Sequence, residues 1–425
     1  MRVLWLSTTK GLFNSSDSHF YNGCGWVSSL QKLVENSDEI DLGVGFLTTE
    51  RHEIQQQGRT KYYPILKPNL SAVKKLIYYY KGYKQYTSLK YLPQLQHIIS
   101  DFNPDIIHVF GLENPLAVIV GETQIPQIVH LQGLLLPCDN AFYPPGINRY
   151  SFIWPPSLRE WIFRNGFIYA KKNIHIRALH EHDLFLSAKF YMGRTIWDRQ
   201  MTNLLSPRSS YFHVDEVLRD TFYEKSGSWK PTKGKFIITS TLSENVYKGL
   251  DVVLKTAKLL KELVNFDFEW HIIGISQISK LVKFFERSTK IESGNVNIIY
   301  EGVKDESVLC NILLSSNVYV HPSYIDNSPN SLCEAQMLGV PVIGSYVGGI
   351  PSLIANNITG FLYPANDIHN LASILINLHD DKELVTRISK HGSEVATKRH
   401  DRDIILSNLL KTYKTISLGN KLQQN

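Results

Sequence analysis

The sequence predicts an α/β protein made of two doubly wound parallel-sheet domains, on three observations. Short apolar runs of strand length alternate with helical patterns from end to end, which implies parallel sheets with right-handed crossovers. The series occurs twice, on either side of a polar stretch, EKSGSWKPTKG at 224–234, rich in Gly and Lys. The length of 425 residues is too great for one ordinary core and suits two. We place a first domain at 1–228, a second at 229–400, and a C-terminal helix and tail at 401–425.

In the first series the strand-like runs are Val3–Ser7, Ile40–Phe46, Ile106–Phe110, Gln127–Leu131 and Ile174–Ala178. Helical patterns fill Trp26–Glu35, Leu89–Phe102 and Ser157–Lys171. In the second, strands are expected at Phe236–Ser240, Glu269–Ile273, Val296–Tyr300, Val318–His321 and Val342–Ser345. Helices are expected at Gly249–Val264, Ser276–Arg287, Ser307–Ser316, Ser331–Leu338 and Asp367–Leu378, with a last amphipathic helix at Arg402–Ile416.

Composition narrows the class. Hydrophobic residues make up 43% and charged residues 20%, an ordinary soluble balance. No run approaches the roughly 18 uninterrupted apolar residues of a spanning helix. The start, MRVLWLSTTK, reads as a buried first strand and not as a signal peptide. Four scattered cysteines form no CxxC pair, so neither a zinc site nor a disulfide framework is suggested, and a reducing, cytoplasmic location follows. A net charge of +6 suits anionic substrates or an anionic membrane surface and does not by itself argue for nucleic acid.

The densest chemistry lies at 318–353, VYVHPSYIDNSPNSLCEAQMLGVPVIGSYVGGIPSL. It reads strand, loop, helix, strand, loop. It puts Asp326, Glu334 and a helix start near Asn330 beyond the carboxyl end of a strand, where open parallel sheets bind ligands. A helix N-terminus suits phosphate. Carboxylate oxygens suit sugar hydroxyls. Together they suggest a nucleotide-sugar. Taken singly, Glu334 reads better as a first-turn acid complementing the helix dipole, and Asp326 reads equally well as an Asx-turn residue. Lys248-Gly249 follows a strand and a polar loop and can reach a diphosphate as a point charge. The plainer reading of Lys248 is a solvated loop lysine.

This segment resembles the donor-binding signature of retaining glycosyltransferases of family 4 (glycosyl transferases group 1), which have the GT-B architecture of two Rossmann-like domains facing a cleft. The signature has two acidic residues eight positions apart, here Asp326 and Glu334. The family's usual first residue is Glu. The resemblance implies a hexosyltransferase-type enzyme that moves a sugar, with retention, from a nucleotide-diphosphate sugar to a glycan or lipid-linked acceptor, in cell-surface polysaccharide synthesis. It implies that Glu334 binds ribose, that Lys248 meets the diphosphate, and that Ser328, Asn330, Ser331 and Leu332 present backbone N–H groups to phosphate. The family's Gly-Phe-Gly is absent there, and Thr241 and Leu242 stand where an Arg is common. Asp326 would place the donor sugar or polarise the reacting centre. His130, at a strand end ahead of Gly133, resembles the family position near the reacting sugar and ranks above His108 as catalytic, although a strand-end histidine is more often a packed one. Gly23 and Gly25, after the first strand, would border acceptor and phosphate. The terminal helix would cross back to the first domain. No metal or cofactor is expected, and no Asp-x-Asp motif is present.

The stretch KKLIYYYKGYKQYTSLKYL at 74–92 interleaves lysine and tyrosine. It reads as a helix with a solvated lysine face, as a membrane surface, or as a base-stacking surface, in that order. The location implied is cytoplasmic, and peripheral on the inner face of the membrane if the second reading holds. Two other functions share these features: a nucleotide-sugar epimerase of the same architecture, and a non-catalytic membrane or scaffold protein that binds nucleotide-sugar.

Overall fold

The computed structural model describes residues 1–14, 25–67, 83–147, 151, 167–232 and 234–424. The chain divides into two units. The first comprises Met1–Asp139, Ile153–Val217 and Asp401–Asn425, and the second Asn140–Phe152 and Leu218–His400.

The first unit carries an eight-stranded sheet. Its strands are β1 (Arg2–Ser7), β2 (Asp41–Thr48), β3 (Gln55–Gln57), β4 (Thr60–Leu66), β5 (Ile106–Phe110), β6 (Gln127–His130), β7 (Phe190–Gly193) and β8 (Ser210–His213). They lie in the order β3-β4-β2-β1-β5-β6-β7-β8. Every pairing is parallel except the β3–β4 hairpin. Val3 to Leu6 and Ile106 to Val109 are buried without alternation, as expected of strands covered on both faces.

The second unit has six strands: β9 (Phe236–Thr241), β10 (Phe268–Ile273), β11 (Ile298–Gly302), β12 (Val318–His321), β13 (Val342–Ser345) and β14 (Phe361–Tyr363). They lie parallel in the order β11-β10-β9-β12-β13-β14. Counted within the unit this is the doubly wound 3-2-1-4-5-6 order, and the winding reverses between β9 and β12. In the first unit β1 and β5 hold the same place.

Three expectations are corrected. The run Ile174–Ala178 lies inside the helix Phe167–Phe185 and forms no strand. Its branched residues sit in a long pattern whose other turns hold Ala, Lys and Glu, good helix formers. The division falls after Val217 and not at 228. The polar stretch read as a linker is docked on the second unit: Gly227 N–H donates to the Met337 carbonyl at 2.9 Å and Trp229 N–H to that of Leu338 at 3.0 Å. The Trp229 indole N–H reaches the Ser316 carbonyl at 2.7 Å. Finally, β3, β4, β7, β8 and β14 were not anticipated. The terminal helix, Arg402–Gln424, belongs to the first unit, where the Trp5 indole N–H donates to the Tyr413 hydroxyl at 3.1 Å.

Candidate functional site

At the reversal between β9 and β12 the second unit gathers charge. Asp326, five residues past the end of β12, is the centre. Its Oδ2 accepts from Lys248 Nζ at 2.6 Å and faces His321 Nε2 at 2.8 Å. Its Oδ1 accepts from the Asn327 amide at 3.1 Å. Burial alone would raise the Asp326 carboxyl, but the Lys248 charge and the His321 contact outweigh it and hold the group well below the usual carboxylate range. The side chains of Asp326 and Lys248 remain 18% and 20% accessible.

Two glycines make this approach possible. Gly249 has φ +81°, and a Cβ there would lie 2.1 Å from the Pro322 carbonyl oxygen. Gly348 has φ +51°, and a Cβ would lie 2.0 Å from that of Asp326. Only glycine tolerates both the dihedral and the contact. The first closes the Lys248 loop onto the end of β12. The second lets the Gly349 amide donate to the Asp326 carbonyl at 3.0 Å.

The helix Asn330–Leu338 starts beside this loop behind Pro329. The Leu332 and Cys333 amides turn back to the Pro329 carbonyl at 3.0 and 3.3 Å. That removes Leu332 from the expected phosphate donors. Among the described residues no acceptor faces the amides of Asn330 and Ser331. The Ser331 hydroxyl bonds that of Tyr319 at 2.7 Å. Ser328 is buried.

Glu334 sits one turn inside the helix with a side chain only 2% accessible. Its carboxylate is held by Arg219 in a two-pronged bond, Nε to Oε1 and Nη2 to Oε2, each at 2.7 Å. Arg219 and His321 are the two polar partners that sequence reasoning did not select. Nothing short-range marks Arg219, which pairs across 115 positions. His321 closes β12 in plain view, and its spacing of five from Asp326 was the available signal.

In the first unit His130 is fully buried. Its ring lies 4.9 Å from that of Trp26, and its Nδ1 is 3.2 Å from His108 Nε2. His108 Nδ1 meets the Tyr413 hydroxyl. Burial lowers His108 to about 3, and burial, aided by His108 and Arg194, lowers His130 well below the usual range, so both rings are neutral near pH 7. Both rings pack in an aromatic cluster, and His130 Nε2 has no hydrogen-bond partner among the described residues. The segment beyond His130, Gln132-Gly133, is held at three points. Trp26 Nε1 donates to Gln132 Oε1 at 3.1 Å. Arg194 Nη2 donates to the Gln132 carbonyl at 2.9 Å, and Glu113 Oε1 faces the Gly133 amide at 3.4 Å. Gly25 opens the helix Gly25–Glu35, whereas Gly23 lies outside the described residues. So do the first nine positions of 74–92, while its last ten begin the helix Tyr83–Phe102.

Residues 221–395 match the family described as glycosyl transferases group 1. That span, less than half of the chain, is what is similar to the glycosyl transferases group 1 family. It is 31% identical over 139 residues to the amylovoran biosynthesis glycosyltransferase AmsK of Erwinia amylovora, which is 31% of this chain and 33% of that protein. It is 40% identical over 74 residues, 17% of this chain, to an Escherichia coli UDP-Gal:alpha-D-GlcNAc-diphosphoundecaprenol alpha-1,3-galactosyltransferase. The matches span a third of these relatives' lengths or less. Among solved structures, sucrose-phosphate synthase from Thermosynechococcus elongatus superposes with a TM-score of 0.72 at 13% identity, covering 99% of this chain and all of that one. Anabaena HepE in complex with UDP gives 0.61 at 12% identity, covering 98% of this chain. The fold of this chain is therefore GT-B, with a Rossmann-like sheet in each unit.

Proposed function

We propose that this chain is a retaining glycosyltransferase of family 4. It transfers a sugar, of hexosyl type, from a nucleotide-diphosphate sugar to a glycan or lipid-linked acceptor in cell-surface polysaccharide synthesis. The observation that carries the reading is the cluster of Lys248, Asp326 and His321 at the β9/β12 reversal, next to the start of the helix Asn330–Leu338. In this reading the diphosphate shares Lys248 with Asp326 and takes the amides of Asn330 and Ser331. Asp326, kept ionised by its neighbours, accepts from hydroxyls of the donor sugar. Glu334 accepts from the ribose. Catalysis is then orientation plus electrostatic stabilisation of the leaving diphosphate, by groups that need no rearrangement during the step. Named relatives act in amylovoran and lipid-diphosphate-linked glycan synthesis, which supports the acceptor class.

No metal takes part in the proposed chemistry. The acceptor binds the first unit, with Gly23 and Gly25 bordering it. His130 then acts through its packing against Trp26, which fixes Gln132. The enzyme works on the cytoplasmic side, peripherally where 74–92 meets anionic lipid. No helix of the described residues is long and apolar enough to cross a membrane.

The test is turnover of UDP- and GDP-sugars with and without a short-chain prenyl-diphosphate-linked N-acetylglucosamine, read by mass spectrometry and by anomeric NMR of the product. Nucleotide release that depends on acceptor, with an axial donor linkage kept in the product, is expected. Conversion of the donor sugar without acceptor means an epimerase. Donor binding with no turnover for any acceptor tried means a binding protein.

A further inference from the structure

We infer that Arg219 is a positioning residue for nucleotide binding: it fixes the Glu334 carboxylate in the orientation that receives the ribose diol. This rests on the reading of Glu334 as the ribose acceptor. The guanidinium is planar and meets both oxygens at 2.7 Å, which sets the rotation of the carboxylate as well as its place. Each carboxylate oxygen has two lone-pair directions, so a fork on one side is compatible with a diol on the other. Without the fork, the three-torsion Glu334 side chain would have to be ordered by the nucleotide itself, at an entropic cost.

Arg219 is itself anchored. Its guanidinium lies 5.0 Å from the centre of the Phe222 ring. The next turn, Asp220–Glu224, is pinned where the Thr221 amide donates to Glu306 Oε1 at 3.1 Å. Arg219 therefore reaches Glu334 from a fixed base, and its side chain is only 15% accessible. A lysine at this position would keep the charge but hold one oxygen at a time. If the pair only ties residues 218–224 to the helix, the nucleotide would be indifferent to that change.

The experiment is calorimetry of UDP and GDP against their 2′-deoxy forms, on the full chain. The ratio of ribo to deoxy affinity reads the Glu334 contact and not the general health of the fold. In the unmodified protein the ratio should be about tenfold or more for the diphosphate that binds. In Arg219→Lys it should fall to within about threefold of unity, with the deoxy affinity little changed. Arg219→Gln, read at reduced temperature, serves if the lysine variant melts early, and should show the same loss. A full ratio retained in either folded variant overturns the inference and leaves the glycosyltransferase reading standing. A ratio of one in the unmodified protein overturns the ribose role of Glu334 and this inference with it.

Discussion

The two sheets reverse their winding in the same way and use the place differently. Past β12 the second unit sets an ionised carboxylate, a lysine and a histidine within 2.8 Å contacts, still partly open to solvent. Within β5 and at the end of β6 the first unit sets two neutral histidines in an aromatic cluster of Trp26, Phe110 and Tyr413. Topology fixes where a ligand can sit. The side chains at that place decide whether the spot binds charge or packs. In the second unit glycines at 249 and 348 bring loops together around a charge. In the first unit rings line the strands leading to the equivalent region, and Glu113 lies just beyond β5.

Glu334→Ala breaks the comparison most severely. It strips the partner from Arg219, a largely buried cation, and a change of this type costs about 3–5 kcal/mol. Denaturant unfolding should show that loss, and nucleotide affinity should fall with it. A variant as stable as the unmodified protein would mean that Arg219 is readily resolvated, and the fork would lose its claim as an anchor.

His130→Ala sharpens the contrast. A packed histidine in a closed cluster should cost about 1–3 kcal/mol of stability while donor affinity stays within about twofold. A normal melting temperature combined with a large fall in turnover per folded molecule would restore His130 as a catalytic group.

Acidity probes the first unit, which holds His108, Glu113 and Glu181. His108 titrates at about 3 when folded and near 6.5 when not, so its contribution to stability is complete above pH 6.5 and is lost as the pH falls toward 3. Glu113 and Glu181 are raised by burial to about 7 and 8, so theirs is complete below about pH 4.5 and is lost as the pH rises through 7 and 8. The two trends oppose each other between these limits. Thermal melts should therefore peak near pH 5–6.5 and decline by pH 8.5. Glu113→Gln and Glu181→Gln should flatten the alkaline decline. Melts that rise steadily to pH 8.5 would contradict it.

The smallest effect concerns 74–92. If it meets lipid, exchanging its lysines for Gln should abolish salt-sensitive binding to anionic vesicles and leave donor affinity intact. No vesicle binding by the unmodified protein at low salt would leave the solvated-helix reading.

The second unit was legible because its strands are short apolar runs set between clear helical patterns; Val318–His321 and Val342–Ser345 match to the residue. The first was less so. β4 contains Pro64, which ordinarily demotes a strand. It is tolerated because β3 pairs only with Thr60 to Tyr62, leaving that side of Pro64 without a neighbouring strand. β7 and β8 have four residues each, too few to show a period. In the site, Lys248 and Asp326 were chosen separately, and their ion pair spans 78 positions, which no local pattern reveals. Arg219 escaped for the same reason. It also stands five residues ahead of the polar stretch 224–234 that composition marks as linker.

The central claim is that the β9/β12 reversal binds a nucleotide diphosphate through Lys248. Calorimetry of UDP, GDP and the corresponding nucleosides with the unmodified protein and with Lys248→Ala tests it most directly. Loss of a charge-assisted contact of about 1.5–3 kcal/mol predicts a ten- to hundredfold weaker diphosphate and an unchanged nucleoside. Equal affinity of both proteins for the diphosphate, or equal losses for diphosphate and nucleoside, would contradict the claim.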